Sequence, residues 1–171
     1  MMNQQELREL ISFLKSHKLK LSTAESCTSG YIIHLLSKVP KSGEVLDTGF
    51  VVYSEEAKLK VLGVKKKTIK KFNLTSEEVA RETVQGALRY TQANIAVAST
   101  GIAASKPMDG IPPGTICFAW LIKHNSKNIL VSERVLFKGS KSQKQKLAAA
   151  YALKQIPFYF NKLISVLNEK E

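Results

Sequence analysis

Acidic residues are scarce in this chain: 14 Asp plus Glu face 26 Lys plus Arg, for a formal charge of +12. Arginine is scarcer still and occurs only at Arg8, Arg81, Arg89 and Arg134. Because Arg is favoured for bidentate base and phosphate recognition, an excess carried by Lys argues against nucleic acid as the partner. It reads instead as a solubilising surface, or one that attracts anionic metabolites. The run Lys65-Lys66-Lys67 with Lys70-Lys71 follows Gly63 and reads as a solvated helix start. Two cysteines, Cys27 and Cys117, give neither a metal spacing nor a disulfide framework. They fit a reducing compartment, most simply the cytoplasm. His17, His34 and His124 are scattered, so no dedicated zinc site is expected. No apolar run approaches the roughly 20 residues of a membrane span, and Met1 to Glu6 carries no signal pattern. Walker, Rossmann and G-x-S-x-G spacings are all missing. With no repeat, linker or low-complexity stretch, 171 residues predict one domain, 1–171. A hydrophobic content of 44% excludes a disordered tail protein.

What is present alternates. Leu7, Leu10, Ile11 and Leu14 recur at helical spacing and predict a helix from Gln4 to His17. Lys20 to Ala24 reads as a strand, leading through a small polar cluster into a helical face of Tyr31, Ile32, Leu35 and Leu36. Val45 to Tyr53 is β-rich; Ser54 then opens a short helix through Lys58 and Leu62, with Gly63 as its stop. Thr75-Ser76-Glu77-Glu78 predicts a capping box on a helix carrying Val79, Thr83, Ala87 and Tyr90. Ile95 to Thr100 is a continuous apolar strand ending at Gly101. Thr115–Ile122 and Ile129–Phe137 read as a hairpin around Lys123-His124-Asn125-Ser126-Lys127-Asn128. From Ser142 the tail is helical, with Pro157 expected to kink or interrupt it. The order predicts an α/β fold, a three-layer sandwich with a mixed sheet.

Ligands in such sheets bind at the carboxyl ends of strands, where three polar segments fall: Glu25 to Gly30, Tyr53 to Lys58, and Gly101 to Thr115. The first places hydroxyls and a thiol at a helix N-terminus, which favours a phosphate or an oxyanion. Ser26 there is either a nucleophile or, like Thr28, an ordinary helix cap. A serine nucleophile needs a base, and no histidine pattern supplies one. Lys58 can serve if burial leaves its amine neutral, with Tyr53 relaying a proton or holding that amine. The alternative is that Tyr53 packs and Lys58, like most lysines of this chain, is simply exposed. The third segment is a long glycine-bearing loop whose backbone can approach a ligand.

Taken together the segments resemble a known family. Thr23-Ala24-Glu25-Ser26-Cys27-Thr28-Ser29-Gly30 resembles the T-A-E-S-C-T-G-G signature of the CinA C-terminal domain family, whose stand-alone members are called PncC. Gly49-Phe50-Val51-Val52-Tyr53-Ser54-Glu55-Glu56-Ala57-Lys58 is similar to its G-x-V-x-Y-S-N-E-A-K segment. Ser99-Thr100-Gly101-Ile102-Ala103 and Pro113-Gly114-Thr115 are similar to its S-G-I-A-G-P and P-x-G-T segments. The resemblance runs in order from about Leu21 to Ile156.

The resemblance implies a three-layer α/β/α domain. Its implied activity is nicotinamide-nucleotide amidohydrolysis, converting nicotinamide mononucleotide to nicotinate mononucleotide and ammonia without a metal or other cofactor. It implies Ser26 as nucleophile, with Tyr53 and Lys58 as the activating pair. Substrate is expected to meet Cys27, Thr28, Ser29 and Gly30, then Gly101, Ile102, Ala103, Gly114 and Thr115. Cys27 is the rival nucleophile, because a helix N-terminus lowers thiol pKa. A homo-oligomer is implied by resemblance. The second expectation is a catalytically weak accessory protein linked to competence or DNA processing. Many members carry a further N-terminal domain of pyrophosphatase type; nothing before Gln4 encodes one, so that chemistry is expected to be absent. Ser29 stands where the family has the first glycine of its pair, and Ala104-Ser105 replaces its G-P. A positive φ at Ser29 would cost of order 1 kcal/mol.

Overall fold

The computed structural model describes residues 1–124 and 127–168. Five strands, β1 (Leu21–Glu25), β2 (Leu46–Val51), β3 (Ile95–Gly101), β4 (Thr115–His124) and β5 (Lys127–Leu136), form one sheet in the order β2-β1-β3-β4-β5. β2, β1 and β3 run parallel, while β4 and β5 are antiparallel additions. The expected α/β fold with a mixed sheet is what forms. The helices are α1 (Gln4–Ser16), α2 (Tyr31–Ser37), α3 (Glu55–Leu62), α4 (Lys66–Phe72), α5 (Glu77–Arg89) and α6 (Lys141–Asn168).

Helices cover both faces because both faces of the sheet are apolar. On one, Leu7, Leu10 and Leu14 of α1, Ile32 and Leu36 of α2, and Leu153, Ile156 and Phe160 of α6 bury Phe118 and Trp120 of β4. The Trp120 indole N–H donates to the Ala152 carbonyl at 2.8 Å, so its burial leaves no polar atom unpaired. On the other face the strands present small residues, Ala24, Ala96, Ala98 and Ala119. That lets Ala80, Val84, Ala87 and Leu88 of α5 pack close.

Local signals and outcomes differ at five places. Asn3 and Glu6 make a reciprocal capping box on α1. The box expected at Thr75 does not form, because Ser76 takes the N-cap and puts Val79 at the third helical position. Tyr90 falls just past α5, as its C-cap, and is exposed rather than on the packed face. Pro157 does not interrupt α6. Ile156, Tyr159 and Phe160 flank it and are buried, so tertiary packing outweighs the lost helix hydrogen bond. Finally, the strands of the hairpin extend into its expected turn, taking in Lys123, His124, Lys127 and Asn128. Asn125 and Ser126 lie outside the described residues.

One hydroxyl sits badly. Ser22 Oγ, buried on β1 opposite Ala96, has no hydrogen-bond partner among the described residues. A buried unpaired group costs about 1–3 kcal/mol. Ser22→Ala is therefore expected to raise stability by about 1 kcal/mol, or about 2–4 °C in Tm for a chain of this size. Thermal unfolding checks it; an unchanged or lower Tm would mean the hydroxyl is paired in solution.

Candidate active site

Adjacent parallel strands β2, β1 and β3 end on the same edge of the sheet, so the three polar segments that follow them meet there. Hydrogen bonds past the strand ends hold them in register. The Ser26 N–H donates to the Ser99 carbonyl at 3.1 Å, and the Val52 N–H to the Glu25 carbonyl at 2.8 Å.

Ser54 caps α3 through its side chain, and Gly63 ends the helix at φ +68°. These two stops fix the phase of α3 so that Lys58 faces the sheet edge. Its side chain is 2% exposed. Nζ lies 2.9 Å from Ser26 Oγ, 2.8 Å from the Val52 carbonyl oxygen and 3.4 Å from that of Tyr53. Two carbonyls and a hydroxyl solvate the amine, and among the described residues no carboxylate touches it. Desolvation pushes Lys58 down to about 8 from an ordinary 10.5, with Cys27 and Glu55 pulling weakly the other way. Ser26 is 7% exposed.

Tyr53 contributes differently from expectation. Its ring is 64% exposed at the rim of the cleft, and its hydroxyl is not among the partners of Lys58. What reaches the amine is the Tyr53 main-chain carbonyl. The expected phenol–amine contact is replaced by a backbone one, because Tyr53 precedes the Ser54 cap, where the chain turns and the side chain leaves the core.

The turn between β1 and α2 is built around a carboxylate. Glu25, fully buried, accepts from the Ile32 N–H (2.9 Å), the Ile33 N–H (3.0 Å), the Thr28 hydroxyl (2.7 Å) and the Thr23 hydroxyl (3.2 Å). The first amides of α2 are thus already bonded to an internal acid, so the helix end is not the open anion site that the residue pattern suggested. This also corrects the expectation for Cys27. Its thiol, four residues before α2 and buried, is pushed up to about 12 by desolvation rather than lowered by a helix dipole. Thr28 is held as well by the Ser99 hydroxyl at 2.7 Å. Ser29 takes φ +53° and Gly30 φ +86°. At Ser29 this is the conformation for which the family pattern has glycine.

Beyond β3, the loop closes at its base through Ile102 N–H to Thr115 O (2.9 Å) and Gly114 N–H to Ile102 O (2.7 Å). A Cβ on Gly114, at φ +92°, would overlap the Phe137 carbonyl, which explains the glycine. The loop tip turns at Asp109 and Gly110, with Met108 bridging Ile111. Of the expected binding residues, Cys27, Gly101, Ile102 and Ala103 line a cleft of about 180 Å³ between these segments, together with Tyr53, Met108 and Lys141. Thr28, Ser29, Gly30, Gly114 and Thr115 do not line it. Larger grooves of about 420 and 450 Å³ run elsewhere, one between α1 and α6 and one beside the N-terminal part of α6. Ser26 and Lys58 line none of the three, but Cys27, next in the chain to Ser26, and Tyr53, whose carbonyl meets the Lys58 amine, line the cleft. Chemistry rather than size selects the cleft.

The profile of the CinA C-terminal domain matches residues 3–159. The chain belongs to this family. It is 33% identical over 144 residues to protein YdeJ of Escherichia coli, covering 84% of this chain and 81% of that protein. Against a CinA-like protein of Thermotoga neapolitana it is 35% identical over 159 residues, 91% of this chain but 37% of the relative. The chain spans only about a quarter to a third of the length of several curated relatives. A crystal structure of the competence damage-inducible protein A from Klebsiella pneumoniae superposes with TM-score 0.83 at 32% identity, covering 91% of this chain and 95% of that one.

Three residues of this CinA domain bear on the site without having been singled out in the sequence. Glu25 lies inside the quoted signature, but its role depends on amides seven and eight residues further on. Lys144, 5% exposed, donates to the carbonyls of Ala104 (2.9 Å) and Ala103 (3.4 Å), tying α6 to the loop after β3. Nothing in a Lys-rich tail distinguishes it from Lys141 or Lys146. Gln145 reaches the turn after β1 from the same helical turn, with no sequence signal at all. Among the described residues no cluster of three or more His, Cys, Asp or Glu is arranged to hold a metal.

Proposed function

We propose that the chain is a nicotinamide-nucleotide amidohydrolase, converting nicotinamide mononucleotide to nicotinate mononucleotide and ammonia in pyridine nucleotide recycling. The observation that carries the reading is the buried Lys58 amine 2.9 Å from Ser26 Oγ, with its pKa lowered far enough to act as a base near neutrality. Ser26 Oγ attacks the carboxamide carbon while Lys58 Nζ accepts its proton. The N–H groups of Cys27 and Thr28, which have no partner among the described residues, receive the tetrahedral oxyanion. Ser29 drops out of that role, because its N–H already donates to the Ser26 carbonyl at 3.1 Å. Lys58 returns the proton to the departing nitrogen, ammonia leaves, and an ester to Ser26 remains. Lys58 then takes a proton from water as the water oxygen attacks that ester, releasing the carboxylate and regenerating Ser26. Lys141 at the cleft edge supplies a cation for the nucleotide phosphate, and the Tyr53 ring offers a face for the pyridine.

Incubating purified protein with nicotinamide mononucleotide and measuring ammonia tests the reading. Wild type is expected to release it, and Ser26→Ala to be slower by at least about 10³-fold. No release at high enzyme concentration would sink the proposal and favour an accessory role. Release by Ser26→Ala at the wild-type rate would move the nucleophile elsewhere.

A further inference from the structure

The two unpartnered amides beside Ser26 can stabilise charge only if they point at the reacting atom, and each belongs to a rigid peptide plane. In a trans peptide the C=O and the next N–H point in opposite directions, so fixing one aims the other. The Ser26 carbonyl, which shares a plane with the Cys27 N–H, accepts from Ser29 N–H at 3.1 Å. That anchor is local. The Cys27 carbonyl, which shares a plane with the Thr28 N–H, is held by Gln145 Nε2 at 2.9 Å, from a helix 118 residues away. The second proton of the same nitrogen goes to Ser29 Oγ at 3.2 Å. The contact orients the Gln145 amide, because the Cys27 carbonyl can only accept and so faces the NH2 rather than the side-chain oxygen.

Both ends of the Cys27–Thr28 plane are otherwise fixed. Ser26 is bonded to Ser99 and Ser29 through its backbone, and the Thr28 hydroxyl to Glu25 and Ser99. What remains soft is rotation of the plane about the line joining its two Cα atoms, which would swing the Thr28 N–H out of the site. Such a rotation changes only ψ of Cys27 and φ of Thr28, the two soft dihedrals that flank the rigid plane. Gln145 is the contact that blocks it.

We infer that Gln145 is a positioning residue, clamping the Cys27–Thr28 peptide so that the Thr28 N–H faces the oxyanion formed at Ser26. The inference rests on the serine-nucleophile part of the proposed function, though not on the identity of the substrate. It predicts that loss of the Gln145 donor slows the chemical step and leaves substrate affinity nearly unchanged, since a ground-state carboxamide uses the amide little.

The test compares wild type, Gln145→Met and Gln145→Lys, the first removing the donor at similar length and the second keeping one. The probe is a fluorophosphonate, whose phosphoryl oxygen occupies the oxyanion position as Ser26 is phosphonylated. Alongside it, kcat and KM are measured with nicotinamide mononucleotide. Gln145→Met is expected to slow phosphonylation and kcat by about 10–100-fold, somewhat less than deleting an oxyanion donor outright. Its KM should stay within about threefold and its Tm nearly unchanged, while Gln145→Lys recovers most of the rate. Phosphonylation of Gln145→Met at the wild-type rate overturns the inference. So does a rise in KM with kcat unchanged, or a loss that Gln145→Lys fails to recover. If wild type is phosphonylated but releases no ammonia, the substrate reading has failed and the phosphonylation rates still decide the role of Gln145. A wild type that is not phosphonylated overturns the inference too.

Discussion

Replacing Lys58 by Met is expected to abolish turnover, by at least about 10³-fold, and at the same time to make the fold more stable. The amine is buried with no carboxylate beside it. Lowering a lysine from 10.5 to about 8 corresponds to roughly 3 kcal/mol against the charged form in the folded state. Methionine has a similar length and no charge to desolvate. The bonds lost to the Val52 carbonyl and Ser26 hydroxyl take back about 1–2 kcal/mol. A net gain of about 1–2 kcal/mol remains at pH 7, seen as a Tm higher by about 2–6 °C. Few substitutions would separate function from stability so directly, because the group proposed to supply the chemistry also strains the fold.

The pH dependence has a definite sign. Below pH 8, Lys58 is protonated in both folded and unfolded chains, and the fold bears the full cost of the buried charge. Between about 8 and 10.5 the folded chain has given up that proton while the unfolded chain still holds it. The unfolded state then binds more protons, so the Lys58 contribution to stability rises with pH across this window. Buried thiols at Cys27 and Cys117 act oppositely at higher pH, since burial raises both above the ordinary thiol value. They are common to both proteins, so apart from the coupling between Cys27 and Lys58 they cancel in the difference between wild type and Lys58→Met. That difference should shrink from pH 7 toward pH 10. The wild-type kcat/KM should rise through a midpoint near pH 8. Unfolding at pH 7 and 9.5, with a pH–rate profile, checks both; a variant less stable than wild type at pH 7 would contradict the account.

Residue type at a strand end marked Ser26 and Lys58 only as candidates of the site, and the family resemblance preferred them to a helix cap and a surface lysine. Ser26 and Lys58 are polar side chains where apolar strands stop and helices start, and such positions are few. The parts that were not legible depend on where the main chain goes. Tyr53 meets the amine through its carbonyl, a group every residue has, so its side chain was no guide. The thiol of Cys27 was expected to be acidic from its place near a helix start. Glu25 reached that start first, and burial then set the thiol. Ser76 rather than Thr75 caps α5, a one-residue difference between two residue types that both favour the position. Gln145 approaches from the last helix, so only the assembled fold brings it to Cys27. For the fold, strand periodicity and glycine stops sufficed for the sheet and α3. Pro157 misled because local propensity is weaker than the burial of Ile156, Tyr159 and Phe160 around it.

Gly86→Ala is expected to cost the fold about 2–4 kcal/mol, although alanine is the better helix former by about 1 kcal/mol. Gly86 lies inside α5, where glycine needs a reason. A Cβ there would overlap the Leu62 carbonyl oxygen and stand 2.8 Å from Leu62 Cβ. The obstacle is backbone at the end of α3, which cannot swing aside as a flexible side chain can. Leu62 lies one helical turn from Lys58, and both are buried. Pushing α3 away from α5 therefore moves the amine from its 2.9 Å contact with Ser26. Misplacement by about 1 Å can cost about 10²-fold in rate. Gly86→Ala should thus lose about 4–16 °C in Tm and at least about tenfold in kcat at a temperature where it is fully folded. Gly43→Ala is the control, since a Cβ there meets nothing within 4 Å, and it should change neither quantity appreciably. If Gly86→Ala keeps its Tm and kcat, the close approach of α5 does not hold Lys58 in place. If Tm falls while kcat stays, α3 keeps the amine in position without help from α5. Only the joint loss ties the packing of these two helices to the chemistry at Ser26.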